Sequence, residues 1–291
     1  MPDDGSRYTA ACLSLRIMKI GIIGSGSAST ELPPHFHTEA ARFPGAEVTL
    51  IQPRLSMFAF TPYERLLVDV GYVDAAQSAA QAHCDAILIN SFADYGIEAA
   101  RSAVEAPIMG AGEAALREAS VTGEGRFCIL TVWPKSMGFL YDERLRSLEI
   151  VPRCLAIRHF SAEDELSRLA GDTSVMARMA RHEHDIIDAL GTACEELIAR
   201  HRPDSIVLGC TCMSPIADAL AKRCLVPVID GAVSGLRLLA SGNHIGSPVS
   251  ARTMAKRASL IPDMVSAWIG TAHSPAPVAT PDCPVCITDV E

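Results

Sequence analysis

The chain has 291 residues, 49% hydrophobic and 20% charged, a composition that fits one large or two smaller folded domains and excludes a wholly disordered chain. Its net charge of −9 argues against a broad nucleic-acid-binding surface, and no apolar run reaches the roughly 18–20 residues of a membrane span. Ten cysteines are scattered along a chain rich in core segments, so they read as reduced thiols of a cytoplasmic protein and not as a disulfide scaffold.

Residues 1–17 carry an acidic tip and no apolar core of a secretory signal, and read as a disordered leader. From Met18 onward, short β-branched runs alternate with longer Ala-rich stretches of helical character. The predicted strands are Lys19–Gly24, Glu47–Gln52, Ala86–Asn90 and Pro107–Met109, followed by Arg126–Thr131, Arg153–Arg158, Ser205–Gly209 and Pro227–Ile229. Strand–helix alternation of this kind predicts an α/β fold with parallel sheets. A helix at about 232–242, built on the apolar run Val233–Leu239, is expected to return to the first half. Residues 243–291 read as an extension that is largely flexible tail, with a short basic surface helix at Ser250–Ile261.

The two sets of strands repeat one another. Asp85-Ala-Ile-Leu-Ile-Asn-Ser91 aligns with Asp204-Ser-Ile-Val-Leu-Gly-Cys210 position for position. The interval from Ser91 to Pro107 and that from Cys210 to Pro227 differ by a single position. An internal duplication follows, with halves at 18–112 and 113–231 and an insertion around Gly171–Asp185.

Ligands of open parallel sheets bind beyond the carboxyl ends of the strands. Four loops leave those ends with small polar residues: Ser25-Gly26-Ser27, Asn90-Ser91, Thr131 to Ser136, and Cys210-Thr211. Pseudo-symmetry places Ser91 and Cys210 on opposite walls of one cleft. Cys210 follows a buried strand and precedes a helix expected over Pro215–Cys224, where the dipole and free N–H groups favour a thiolate. A thiol is then a usable acid/base near neutral pH, and Thr211 can offer a hydroxyl and an N–H to a developing oxyanion. The bland alternative is a small buried cysteine, which is common.

Other motifs carry less. Gly24-Ser25-Gly26 lacks the third glycine and the downstream acid of a dinucleotide site. His182 and His184 lie two apart and diverge on a helix, so no metal site is read there. His35 and His37 sit in a Pro-rich loop. Cys283-Pro-Val-Cys286 has neither the following helix of a redox pair nor two further ligands for zinc.

The segments Asn90-Ser-Phe-Ala-Asp-Tyr-Gly96, Pro107-Ile-Met-Gly-Ala-Gly-Glu-Ala114, Leu208-Gly-Cys-Thr-Cys-Met213 and Val226-Pro-Val-Ile-Asp-Gly231 resemble the aspartate/glutamate/hydantoin racemase superfamily, nearest its hydantoin racemase branch. The resemblance implies two pseudo-symmetric doubly wound domains, each with a parallel four-stranded sheet, and a site in the cleft between them. It implies cofactor-independent, metal-free racemisation of a small-molecule substrate by two cysteines, in a protein that forms a homo-oligomer. Cys210 matches the second cysteine. Asn90 and Asp94 match polar positions around the first, and Thr131 and Ser136 match the hydroxyl loop after the fifth strand. Two positions depart from the pattern. Ser91 stands where the first cysteine is expected, and a hydroxyl is a poor acid or base without a partner. Gly24-Ser25-Gly26-Ser27 replaces Asn-Pro-Asn-Thr, leaving Ser25 and Ser27 as the substrate-facing groups of that loop. Cys212, Asp94 and His83 are candidate substitute bases. The single thiol also resembles arylmalonate decarboxylase, in which one cysteine protonates an enediolate. A catalytically silent binding protein of the same fold is the third reading.

Overall fold

The computed structural model describes residues 17–24, 31–55, 57–168, 171–242 and 254–271. The first half runs β1 (Met18–Ile23), α1 (Pro34–Ala40), β2 (Ala46–Ile51), α2 (Pro62–Gln81), β3 (Ala86–Ile89), α3 (Ile97–Ala103), β4 (Ile108–Gly110) and α4 (Ala111–Val121). The second runs β5 (Phe127–Thr131), α5 (Gly138–Ser147), β6 (Cys154–His159), α6 (Val175–Ala180), α7 (His184–His201), β7 (Ser205–Leu208), α8 (Ala217–Ala221) and β8 (Val228–Ile229). Then come α9 (Gly231–Ala240) and α10 (Leu260–Thr271).

The strands form two parallel sheets with the same order, β2-β1-β3-β4 and β6-β5-β7-β8. Helices cover both faces, so the central strands need apolar residues on each side. Every residue of β3, β5 and β7 is buried. The duplication extends to single hydrogen bonds. Asp85 N–H donates to the Lys19 carbonyl and Asp204 N–H to the Arg126 carbonyl, both at 2.7 Å. Each aspartate then accepts a 2.9 Å bond from the N–H of that same partner, Lys19 or Arg126. Ile87 and Ile206 donate to the Pro107 and Pro227 carbonyls, both at 2.9 Å. The aspartate heading each aligned motif therefore fixes strand register.

Local chemistry sets the helix starts. Thr61 and Glu64 form a reciprocal capping box ahead of Pro62 in α2. Asp230 accepts from the Ala232 N–H at 3.0 Å and caps α9. α9 buries Ala232, Leu236 and Leu239 with Ile20, Ile22, Leu88 and Met109 of the first half. A Cβ on Gly231 would stand 2.2 Å from the Ala111 carbonyl oxygen, so glycine permits the close α9–α4 contact.

The described part of the extension, residues 254–271, contains a helix. Among these described residues, helix starts only at Leu260, at the end of the Ser250–Ile261 stretch, and α10 lies against α2 with Val265 buried. Arg54 pairs with buried Asp74 at 2.5 Å and also donates to Ser266 Oγ at 2.8 Å. Gln77 Nε2 donates to the Ala258 carbonyl at 2.6 Å. These bonds join the first half to the far end of the chain, beyond any reading of local composition. No helix among the described residues is long and apolar enough to cross a membrane.

Candidate active site

The strand carboxyl ends bring Gly24, Asn90 and Gly110 together in one sheet and Thr131, His159 and Gly209 in the other. The two sets meet. Thr211 Oγ1 donates to the Asn90 carbonyl at 3.2 Å, so the residue after Cys210 touches the residue before Ser91. Phe92, which follows Ser91, lies with its ring centroid 5.2 Å from that of Tyr141 in α5.

Cys210 leaves β7 in extended conformation and caps a 3-10 turn at Thr211–Ile216, which runs into α8. This replaces the single helix expected over Pro215–Cys224, because Pro215 sits inside the turn and cannot donate. The half-buried Cys210 Sγ accepts from the Cys212 N–H at 3.1 Å. The sulfurs of Cys210 and Cys212 are bonded to each other, with Cα atoms 5.2 Å apart. The expectation that all thiols are reduced is corrected here. The tight turn brings two cysteines, two residues apart, to one side.

Gly209 has no room for a side chain. A Cβ there would lie 2.8 Å from Thr131 Cβ and 3.0 Å from Tyr141 Cε1. Tyr141 Oη donates to the Gly209 carbonyl at 2.9 Å and bonds Thr131 Oγ1 at 2.5 Å. Burial pushes the Tyr141 phenol far up, so it remains a donor. Thr131 is fully buried, its hydroxyl also accepting from the Trp133 N–H at 3.2 Å.

Across the site, Asn90 is buried, and its Nδ2 donates to the Gly24 carbonyl at 3.0 Å. Its Oδ1 has no hydrogen-bond partner among the described residues. Half-buried Ser91 accepts from the Ala93 N–H at 3.3 Å. Asp94 is fully buried, and its carboxylate accepts from the Gly112 and Glu113 N–H groups at 2.8 and 2.7 Å. Burial, opposed by the nearby Arg144, pushes its carboxyl up to about 7.

The candidate substitute bases therefore stand in different places. Cys212 lies beside Cys210. Asp94 has both oxygens taken by the start of α4. His83 is exposed in the turn before β3, at the amino end of the sheet. Ser136 is exposed, with its hydroxyl on Glu163 Oε2 at 2.5 Å. Ser25, Ser27 and the Cys283–Cys286 pair lie outside the described residues, as does the leader before Ile17. Tyr141 and Arg144 contact Gly209 and Asp94 yet carry no motif signal, because these partners are distant in sequence.

The family model "Asp/Glu/Hydantoin racemase" matches residues 20–239. The chain belongs to that family. It is an isomerase of the racemase type. A curated hydantoin racemase from Pseudomonas sp. (strain NS671) is 26% identical over 242 residues, covering 80% of this chain and 89% of the relative. A hydantoin racemase from Rhizobium meliloti is 30% identical over 154 residues, covering 53% of this chain and 58% of that one. Among solved structures, allantoin racemase from Pseudomonas fluorescens has a TM-score of 0.66 at 18% identity, covering 82% of this chain and 97% of the other. A Gly74Cys mutant of arylmalonate decarboxylase has a TM-score of 0.51 at 19% identity, covering 77% and 94%. The fold is therefore shared between racemases and a decarboxylase, and only the site separates those reactions.

Proposed function

We propose that this chain racemises a hydantoin or related amino-acid derivative by cofactor-independent proton transfer at the carbon alpha to a carbonyl, with reduced Cys210 as acid and base. The observation that carries this reading is the Thr211–Asn90 bond, which sets the Cys210 loop against the Ser91 loop. Once the Cys210–Cys212 bond is reduced, the Cys212 N–H supports a Cys210 thiolate, and the Ser91 hydroxyl, which only accepts from the Ala93 N–H, has its proton to donate to the oxyanion of an enolate.

Asn90 favours a substrate bearing an N–H. A buried acceptor without a donor costs on the order of 1–3 kcal/mol, and a ring N–H of the substrate relieves that cost. The second reading is decarboxylation with Cys210 as proton donor, and Ser91 favours it because only one wall then carries a thiol.

One thiol has a kinetic consequence. Cys210 exchanges the α-proton on its own face quickly, whereas Ser91 passes protons to and from water slowly on the other. Enantiopure 5-substituted hydantoins, allantoin and arylmalonates are incubated with reduced enzyme in deuterated buffer and followed by proton NMR and optical rotation. Deuterium is expected to enter the α-position faster than rotation is lost. Cys210→Ala is expected to abolish both, and Ser91→Cys to raise racemisation toward the exchange rate. Carbon dioxide from arylmalonates with no exchange in hydantoins would overturn the racemase reading in favour of the decarboxylase. Cysteine-independent ligand binding without turnover would favour a silent binder.

A further inference from the structure

α5 belongs to the second half, yet one face of it grips both halves. Tyr141 and Arg144 are three residues apart, so they share that face. Tyr141 holds the Gly209 carbonyl, immediately before Cys210. Arg144 is buried and reaches into the first half, where its Nε lies 3.2 Å from Asp94 Oδ2. The contact is charge on charge and not an aligned hydrogen bond. Neighbouring Glu143 also crosses, pairing with Arg65 Nη1 of α2 at 2.9 Å.

The segment that Arg144 reaches begins two residues after Ser91, and each of its residues is held. The Ala93 carbonyl accepts from Arg65 Nη2 at 3.3 Å. The Asp94 carboxylate takes two N–H groups of α4. The Tyr95 ring lies under the Arg65 guanidinium at 5.2 Å, and the Gly96 N–H donates to Asp69 Oδ1 at 2.7 Å. Asp94 itself sits at φ +49°, an uncommon left-handed conformation for a residue with a side chain. Gly110 and Gly112 leave space for this loop, since Cβ atoms there would lie 2.1 Å from Asp94 Oδ1 and 1.9 Å from the Phe92 carbonyl oxygen.

We infer that Arg144 is a positioning residue which, through Asp94, sets the span between the Ser91 loop and the Cys210 loop, with α5 as the rigid bar between them. This rests on the reading that Ser91 and Cys210 serve opposite faces of one substrate. A buried ion pair is weak support for stability but can enforce one geometry. Asp94 is faced by Arg144 from α5 and by Glu113 from α4, and Glu113 is itself paired with Arg101 and Arg117. Arg144 is thus the cation that faces the Asp94 carboxylate.

The test uses full-length protein carrying Ser91→Cys and Cys212→Ser, so that a short bifunctional thiol reagent joins residue 91 to residue 210. Yield is read by mass spectrometry of the cross-linked peptide, whether or not any substrate is turned over. Arg144 is then kept, changed to Lys, or changed to Met, and Asp94→Asn/Arg144→Met supplies a form without a lone buried charge. Cross-linking is expected to be high with Arg144, to fall several-fold with Met in either background, and to recover with Lys. In the natural Ser91 and Cys212 background, Arg144→Met is expected to lower kcat about tenfold or more with little change in KM, because misplaced groups cost turnover before binding. The Asp94→Asn/Arg144→Met form, folded but with unchanged cross-linking and unchanged kcat, would overturn the inference. Absence of the cross-link with Arg144 intact would overturn the facing arrangement itself, and the inference with it.

Discussion

Removing one oxygen from Tyr141 tests how Cys210, the proposed acid and base, is held. The phenol is fully buried, 2.9 Å from the Gly209 carbonyl and 2.5 Å from Thr131 Oγ1. Tyr141→Phe keeps the ring and opens no sizeable cavity, so its cost is that of leaving buried polar groups unpaired. Such groups cost on the order of 1–3 kcal/mol. For a domain of this size each kcal/mol moves Tm by roughly 2–4 °C, which gives a fall of about 2 to 12 °C. The Gly209 carbonyl is also the anchor next to Cys210, and freeing it lets the sulfur wander. A displacement near 1 Å can cost about 100-fold in rate, so kcat is expected to drop between about 10- and 100-fold. Calorimetry and α-deuterium exchange, both under reducing conditions, measure the two effects. Adding Thr131→Val should recover part of the stability, because it removes an orphaned partner, but not the rate, because the Gly209 carbonyl stays free. A variant with unchanged Tm and unchanged exchange would refute the anchoring role.

Two further outcomes follow. The Cys210–Cys212 bond leaves no titratable thiol at either position, so oxidised enzyme is expected to be inactive and to recover with a dithiol reductant. Cys212→Ser keeps the backbone N–H and should work without reductant; equal activity of the oxidised and reduced natural chain would refute this. The second concerns pH. The Asp94 carboxyl titrates at about 7 in the folded chain because burial outweighs Arg144, against an ordinary value near 3.8. The folded state then binds the proton more tightly, and this group's contribution to stability is full below about pH 4 and lost as pH rises toward 7, on the order of 4 kcal/mol. Thermal unfolding of the natural chain and Asp94→Asn between pH 4 and 8 should therefore show the natural chain losing ground as pH rises. A pH-independent difference would refute the assignment.

The eight strands fall close to their expected positions. They are legible because buried parallel strands need unbroken apolar runs, and a repeated Asp-x-Ile-x-Leu/Ile pattern marks the same strand in each half. The Cys210 and Ser91 loops stand out in the sequence as candidates for a related reason: ligands of open parallel sheets bind beyond the strand carboxyl ends. The partners of those loops do not. Asp94 reads as a site polar group by proximity to Ser91, yet its carboxylate caps α4, beyond the next strand, and faces Arg144 from the other half. The Tyr141 phenol likewise crosses from α5 to the end of β7. The Cys210–Cys212 bond and the docking of α10 depend on turn geometry and on long-range contacts. Hydrophobic period and motif spacing are local, so the strands, their duplication and the residues at their ends could be read directly from the chain. The side chains that hold those ends emerged only on folding, because a buried charge or hydroxyl takes whatever partner the packed halves bring to it.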